Sequence, residues 1–122
     1  PALAIVHCHP RTAIAFSLSR DELVPIDNEA SYLLKKIPVV TEEFASGTPE
    51  MANKVANALK NYKIIMLRGH GSFAIGQLME EAYQRTTALE GSCQILCILR
   101  SLAKEKGSPA SLGAPLLFSP KV

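Results

Sequence analysis

Apolar residues along this chain come mostly in short runs, each broken by proline, glycine or charge. Ala2–Val6 is such a run; it ends at a histidine and reads as a buried strand. Pro10 stops it, and Thr12–Leu18 looks helical, with Ile14, Phe16 and Leu18 among small residues. Asp21–Asn28 is polar around Pro25 and reads as irregular or as a short strand. Tyr32–Val40 closes on Ile37-Pro38-Val39-Val40, a second strand, which Pro38 confines to an edge or a strand start. Thr41–Gly47 reads as a loop. Thr48-Pro49-Glu50 then marks a helix start, with threonine at the N-cap, proline at the first helical position and an acid in the first turn. This helix is expected to end near Asn61 and to bury Met51, Val55, Ala58 and Leu59. Lys63–Leu67 is a buried strand, Arg68-Gly69-His70-Gly71 a glycine-flanked turn, and Ser72–Ile75 a strand returning beside it. Gln77–Lys104 is the longest periodic segment, and Leu78, Ala82, Leu89, Cys93, Leu96 and Leu102 are expected on its buried face. After Gly107 the spacing of Pro109, Pro115 and Pro120 marks an extended tail.

This order of strands and helices predicts an α/β domain, with helices layered α/β/α on a mixed sheet. With 122 residues the chain reads as one domain, 1–122. It is too short for a (β/α)₈ barrel, which takes about 200 residues or more. Thirteen Lys and Arg against eleven Asp and Glu leave a net charge of only +2, which is no footprint for nucleic acid. No apolar run is long enough to span a membrane. The first ten residues lack the positive region and the small-residue cleavage site of a signal peptide. Three cysteines, Cys8, Cys93 and Cys97, without a CxxC pair, suit reduced thiols and a cytoplasmic location. Cys93 and Cys97 lie four apart and read as small core residues on one helix face.

The chemistry is concentrated in the histidines, of which there are three: His7, His9 and His70. His7 and His9 flank Cys8 at the end of a strand, where residues i and i+2 point to one face and the cysteine to the other. His70 follows another strand between two glycines, which permit close approach and unusual dihedrals. If the strand ends are neighbours, three imidazoles meet. Three nitrogen ligands with an open position are the pattern of a catalytic zinc site, whose metal acts as a Lewis acid. Each histidine taken alone reads equally as an ordinary hydrogen-bonded residue. Other HxH proteins fit less well. Histidine-triad hydrolases need a third histidine where Arg11 stands, amidohydrolase barrels are longer, and cupins lack a helix of roughly 25 residues.

Taken together, three blocks resemble the class II aldolase/adducin family. Ala4-Ile5-Val6-His7-Cys8-His9-Pro10 with Thr12–Ser17 is similar to the family's zinc HxH strand and following helix. Ile65-Met66-Leu67-Arg68-Gly69-His70-Gly71-Ser72 is similar to its third-histidine block. Gly76–Ala82 through Leu89-Glu90 is similar to its long helix. The resemblance covers residues 3 to 105. It implies a central mixed, mainly antiparallel sheet, and His7, His9 and His70 as ligands of Zn²⁺, with another divalent transition metal possible. It implies retro-aldol cleavage of a short sugar phosphate, such as a fuculose-1-phosphate-like ketose, through a metal-stabilised enediolate. The partners implied are a phosphorylated sugar or aldehyde and further copies of the chain in a tetramer. Epimerases, a dehydratase and the non-enzymatic adducin head share the fold. Adducin lacks the histidine set, so the three histidines here argue against that last reading.

Several positions depart from the family pattern. Family members have a longer amino-terminal part, which holds phosphate-binding loops and the acidic base of the aldolases. The expectation is a fragment, incomplete at the amino end, with the general base upstream of residue 1 and with apolar surface exposed where the absent helices pack. Ser31 stands where the epimerases have an aspartate. No tyrosine lies at Asp27 or Asn28, where the aldolases place a proton donor; Tyr32 is offset. Asp27 and Glu29 are the nearest acids and read more readily as solvated loop charges. Arg68 either binds phosphate or supports the strand.

Overall fold

The computed structural model describes residues 1–43 and 47–105, so the tail after Gly107 and part of the Thr41–Gly47 loop lie outside the described residues. Five strands and four helices follow in the order β1 (Ala4–Cys8), α1 (Arg11–Ser17), β2 (Glu22–Leu23), α2 (Asn28–Leu33), β3 (Ile37–Val40), α3 (Pro49–Ala58), β4 (Ile64–Leu67), β5 (Gly71–Gly76) and α4 (Met79–Glu105). The sheet order is β1-β5-β4-β3-β2. The β3–β4 pair is parallel and the other three are antiparallel. The sheet is therefore mixed and mainly antiparallel.

β4 explains the layering. All four of its residues are buried, although a strand's side chains alternate between faces. Ile64 and Met66 enter the main core with Ala13 and Phe16 of α1, Ala30 of α2, and Ala82, Leu89, Cys93 and Leu96 of α4. Ile65 and Leu67 point to the other face, where α3 packs on β3 and β4 and buries Val55. Towards β1 this second face is open: Ile5 is 55% exposed, while Phe73 and Ile75 are half-buried.

Several local expectations are corrected. The first strand runs from Ala4 to Cys8 rather than stopping at Val6, because β5 pairs with it as far as Cys8. Pro38 lies in an interior strand, yet ahead of Val39, the first residue paired with β4, so its missing N–H costs that ladder nothing. α2 falls in a segment expected to lead into a strand; Asp27 caps it, accepting from the Ala30 amide at 3.1 Å. α3 ends at Ala58, and its last turn tightens into bonds from Lys60 to Asn57 and from Asn61 to Ala58. Of its expected core residues only Val55 is buried, the others half-buried. On α4, Leu78 precedes the helix and is exposed, and Leu102 is exposed while Ala103 is buried. Seven residues after Leu96 the buried stripe falls on Ala103, one place beyond Leu102. Cys97 is likewise exposed, whereas Cys93 is buried and its thiol is pushed up to about 12, chiefly by burial. No described helix is long and apolar enough to cross a membrane.

Candidate metal centre

The strand that brings His70 to His7 is the one after it. β5 starts at Gly71 and runs antiparallel to β1, with His7 opposite Phe73 and Cys8 opposite Ser72. His9, just beyond β1, and His70, just before β5, therefore lie at one end of the same pair of strands. Their turn is sharp because Gly69 adopts a φ of +71°, and the His70 amide closes it on the Leu67 carbonyl at 3.0 Å.

The three imidazoles converge. One ring nitrogen from each of His7, His9 and His70 lies within 4.8 Å of the others. Ring centroids are 5.0 Å apart for His7 and His9, and 5.1 Å for each of the pairs with His70. His7 Nδ1 donates to the Ser72 carbonyl at 2.9 Å, which leaves the Nε2 lone pair facing His9 Nε2 at 3.2 Å. Nitrogens around a tetrahedral zinc, each about 2.1 Å from it, lie about 3.4 Å apart, so the donor set fits such an ion. A backbone carbonyl on the far nitrogen is the usual way to fix a ligand's tautomer. The ring of His7 also stacks on Phe73, with centroids 4.1 Å apart at 19°. Beside the imidazoles opens a cleft of about 450 Å³, bordered by His9, His70, Glu42, Met51, Arg68 and Gly69.

A family model for the class II aldolase and adducin N-terminal domain matches residues 1–97. The chain belongs to this family. Among its class II aldolase relatives, the L-fuculose phosphate aldolase of Methanococcus maripaludis is 33% identical over 99 residues, covering 81% of this chain and 53% of the relative. That of Methanococcus vannielii is 34% identical over 101 residues, covering 83% and 54%. The crystal structure of L-fuculose-1-phosphate aldolase from Thermus thermophilus superposes with a TM-score of 0.81 at 41% identity, over 84% of this chain and 56% of that one. The chain spans about half the length of the curated relatives it matches.

Within this class II aldolase framework the remaining candidates separate. Asp27 uses both oxygens structurally, one on the Ala30 amide and one accepting the Ser92 hydroxyl. Glu29 is exposed on α2, and Tyr32 is 82% exposed. Arg68 is committed to protein partners. Its Nη1 donates to the Ser17 and Arg20 carbonyls, Nε to the Thr41 hydroxyl and Nη2 to Asp21 at 2.7 Å. That geometry favours support of the strand end over phosphate binding. Phe73 and Glu42 were not singled out by sequence reasoning. Alternation along β5 from Gly71 was the available signal for Phe73, whereas nothing local marks Glu42.

His70 is held below its ordinary value of 6.5, first by burial and then by the neighbouring His7 and His9 rings. In the unfolded chain this ring takes up its proton near 6.5; in the folded chain it does so only at lower pH. The folded state thus binds fewer protons in that window, so stability falls as pH drops through 6.5 and levels off below the folded value. We expect the urea midpoint of the metal-free protein to fall between about pH 7 and 5, with part of that fall absent from His70→Gln. An unchanged pH profile in the variant would remove His70 as the cause. Metal should be released over the same acid range, since only neutral imidazole ligates.

Proposed function

We propose that this chain forms the metal-binding part of a zinc-dependent aldolase that reversibly cleaves a short sugar phosphate, a ketose of the fuculose-1-phosphate kind. The observation that carries this reading is the convergence of His7, His9 and His70 beside an open cleft, in a chain whose relatives are named fuculose-phosphate aldolases. His7, His9 and His70 would hold the ion. The chemistry a divalent ion supplies there is Lewis-acid stabilisation of the negative charge that develops on substrate oxygens as the C–C bond breaks. Ser72 fixes the His7 tautomer through its carbonyl, and the Phe73 ring holds the imidazole plane.

Asp27 and Glu90 spend both oxygens on the α2 cap, the Ser92 hydroxyl and the α1 amides, and Asp21 pairs with Arg68. Glu42, at the rim of the cleft, accepts the Glu43 amide and faces Lys54, so the general base is assigned to none of the four. We place it outside this chain, and the working enzyme in a homotetramer. The test is product analysis, with L-fuculose 1-phosphate, of the zinc-loaded chain extended by the segment that carries the base. Dihydroxyacetone phosphate and an aldehyde are the expected products. Recovery of an epimerised or dehydrated sugar phosphate instead would replace cleavage by epimerisation or dehydration at the same imidazoles.

A further inference from the structure

Helix α1 is completed at both ends by charged groups far away in the sequence. Pro10 at its N-cap supplies no side-chain cap, its first turn has no acid, and its last turn has no base. A seven-residue helix is unstable alone, because its few bonds do not repay nucleation. Glu90, on α4, takes the place of the missing cap. Its Oε2 accepts from the Thr12 amide at 3.1 Å and its Oε1 from the Ala13 amide at 2.9 Å. At the other end, Arg68 Nη1 donates to the Ser17 carbonyl at 2.6 Å and to the Arg20 carbonyl at 3.1 Å. The Ser17 hydroxyl accepts from the Gly69 amide at 2.9 Å while donating to the Ile14 carbonyl. Ser17 is fully buried, so this relay is shielded from water. A carboxylate at the amino end and a guanidinium at the carboxyl end both suit the helix dipole.

These contacts join the candidate ligands. His9 is separated from Thr12 only by Pro10 and Arg11, and His70 follows directly on Arg68 and Gly69. α1 is therefore a strut whose amino end carries His9 and whose carboxyl end grips the turn that carries His70. We propose that Glu90 and Arg68 are positioning residues for the metal site, setting the distance between His9 and His70 through α1. The proposal rests on the three-histidine metal reading above, and adds to it two residues that bind the two ends of α1.

The test is titration of the full chain with Co²⁺, read by its visible absorption, and with Zn²⁺ against a competing chelator. Circular dichroism and a thermal midpoint are recorded alongside. Glu90→Ala and Arg68→Met should each weaken metal affinity roughly 10–100-fold, the range seen when outer-shell partners of ligands are removed, and alter the Co²⁺ spectrum. Glu90→Gln keeps one acceptor oxygen and should recover part of the loss; being milder, it also keeps the test open if Glu90→Ala fails to fold. Folded variants with a lowered thermal midpoint but wild-type affinity and spectrum would overturn positioning and leave only a structural role. A wild-type chain that binds neither ion would overturn the metal reading itself, and positioning with it.

Discussion

Replacing His70 by alanine should take zinc from about one ion per chain to almost none, while the fold survives. The ring supplies one of three converging nitrogens, and the two left, His7 and His9, are exposed and make a pair open to water on its other sides. The turn itself does not depend on the ring. It is set by the positive φ of Gly69, by the His70 amide on the Leu67 carbonyl, and by the Gly69 amide on Ser17. The His70 ring is only half-buried, so little packed volume is lost with it. Elemental analysis of the purified variant, with far-ultraviolet circular dichroism to confirm the fold, decides the matter. Full zinc occupancy in folded His70→Ala would sink the three-histidine site. His7→Ala should behave similarly with respect to metal, and should additionally free the Ser72 carbonyl and remove the ring stacked on Phe73.

The parts of this molecule that could be read from the sequence are those written in local patterns. Thr48-Pro49-Glu50 announced α3, and its N-cap hydroxyl does accept from the Met51 amide. The KIIML run announced β4, and the glycines around His70 announced the turn. The histidine spacing announced a shared face: side chains alternate along β1, and His9, one residue past its end, still meets His7. What stayed hidden depends on groups distant in sequence. Asp27 has the residue type of a cap, but the short α2 behind it also needs the Ser31 hydroxyl on the Pro25 carbonyl and the Ser92 hydroxyl on Asp27. The backbone carbonyl of Ser72 leaves no trace in residue identity, yet it fixes the His7 tautomer. Arg68 beside His70 was ambiguous for the same reason: its four partners come from α1, the segment after α1 and the end of β3, which only the fold brings together.

Gly71→Ala should damage the site and the fold at once, because both need the same missing atom. A Cβ at this position would lie 2.3 Å from the Cys8 carbonyl oxygen, 2.9 Å from His9 Cδ2 and 3.2 Å from His7 Cε1. Contact with a carbonyl at that distance is not relieved by rotating a side chain. Cys8 is held in the β1–β5 ladder opposite Ser72, so β1 must part from β5 at this end or the sheet must twist. Either movement carries His7 and His9 away from His70. Overpacking of this kind costs about 1–3 kcal/mol, to which the loss of ladder bonds adds. We therefore expect a lower urea midpoint together with a loss of metal binding, measured on the same preparation. Gly91→Ala makes a useful contrast. It is the same chemical change, at a helical position where no other described residue outside its own helical turn lies within 4 Å of the added atom. There the gain in helix propensity should raise stability by about 0.5–1 kcal/mol and leave metal affinity unchanged. Equal behaviour of the two variants would mean that the close approach at Gly71 is not what shapes the site; opposite behaviour ties the geometry of the three imidazoles to the single residue that lets two strands and two rings meet.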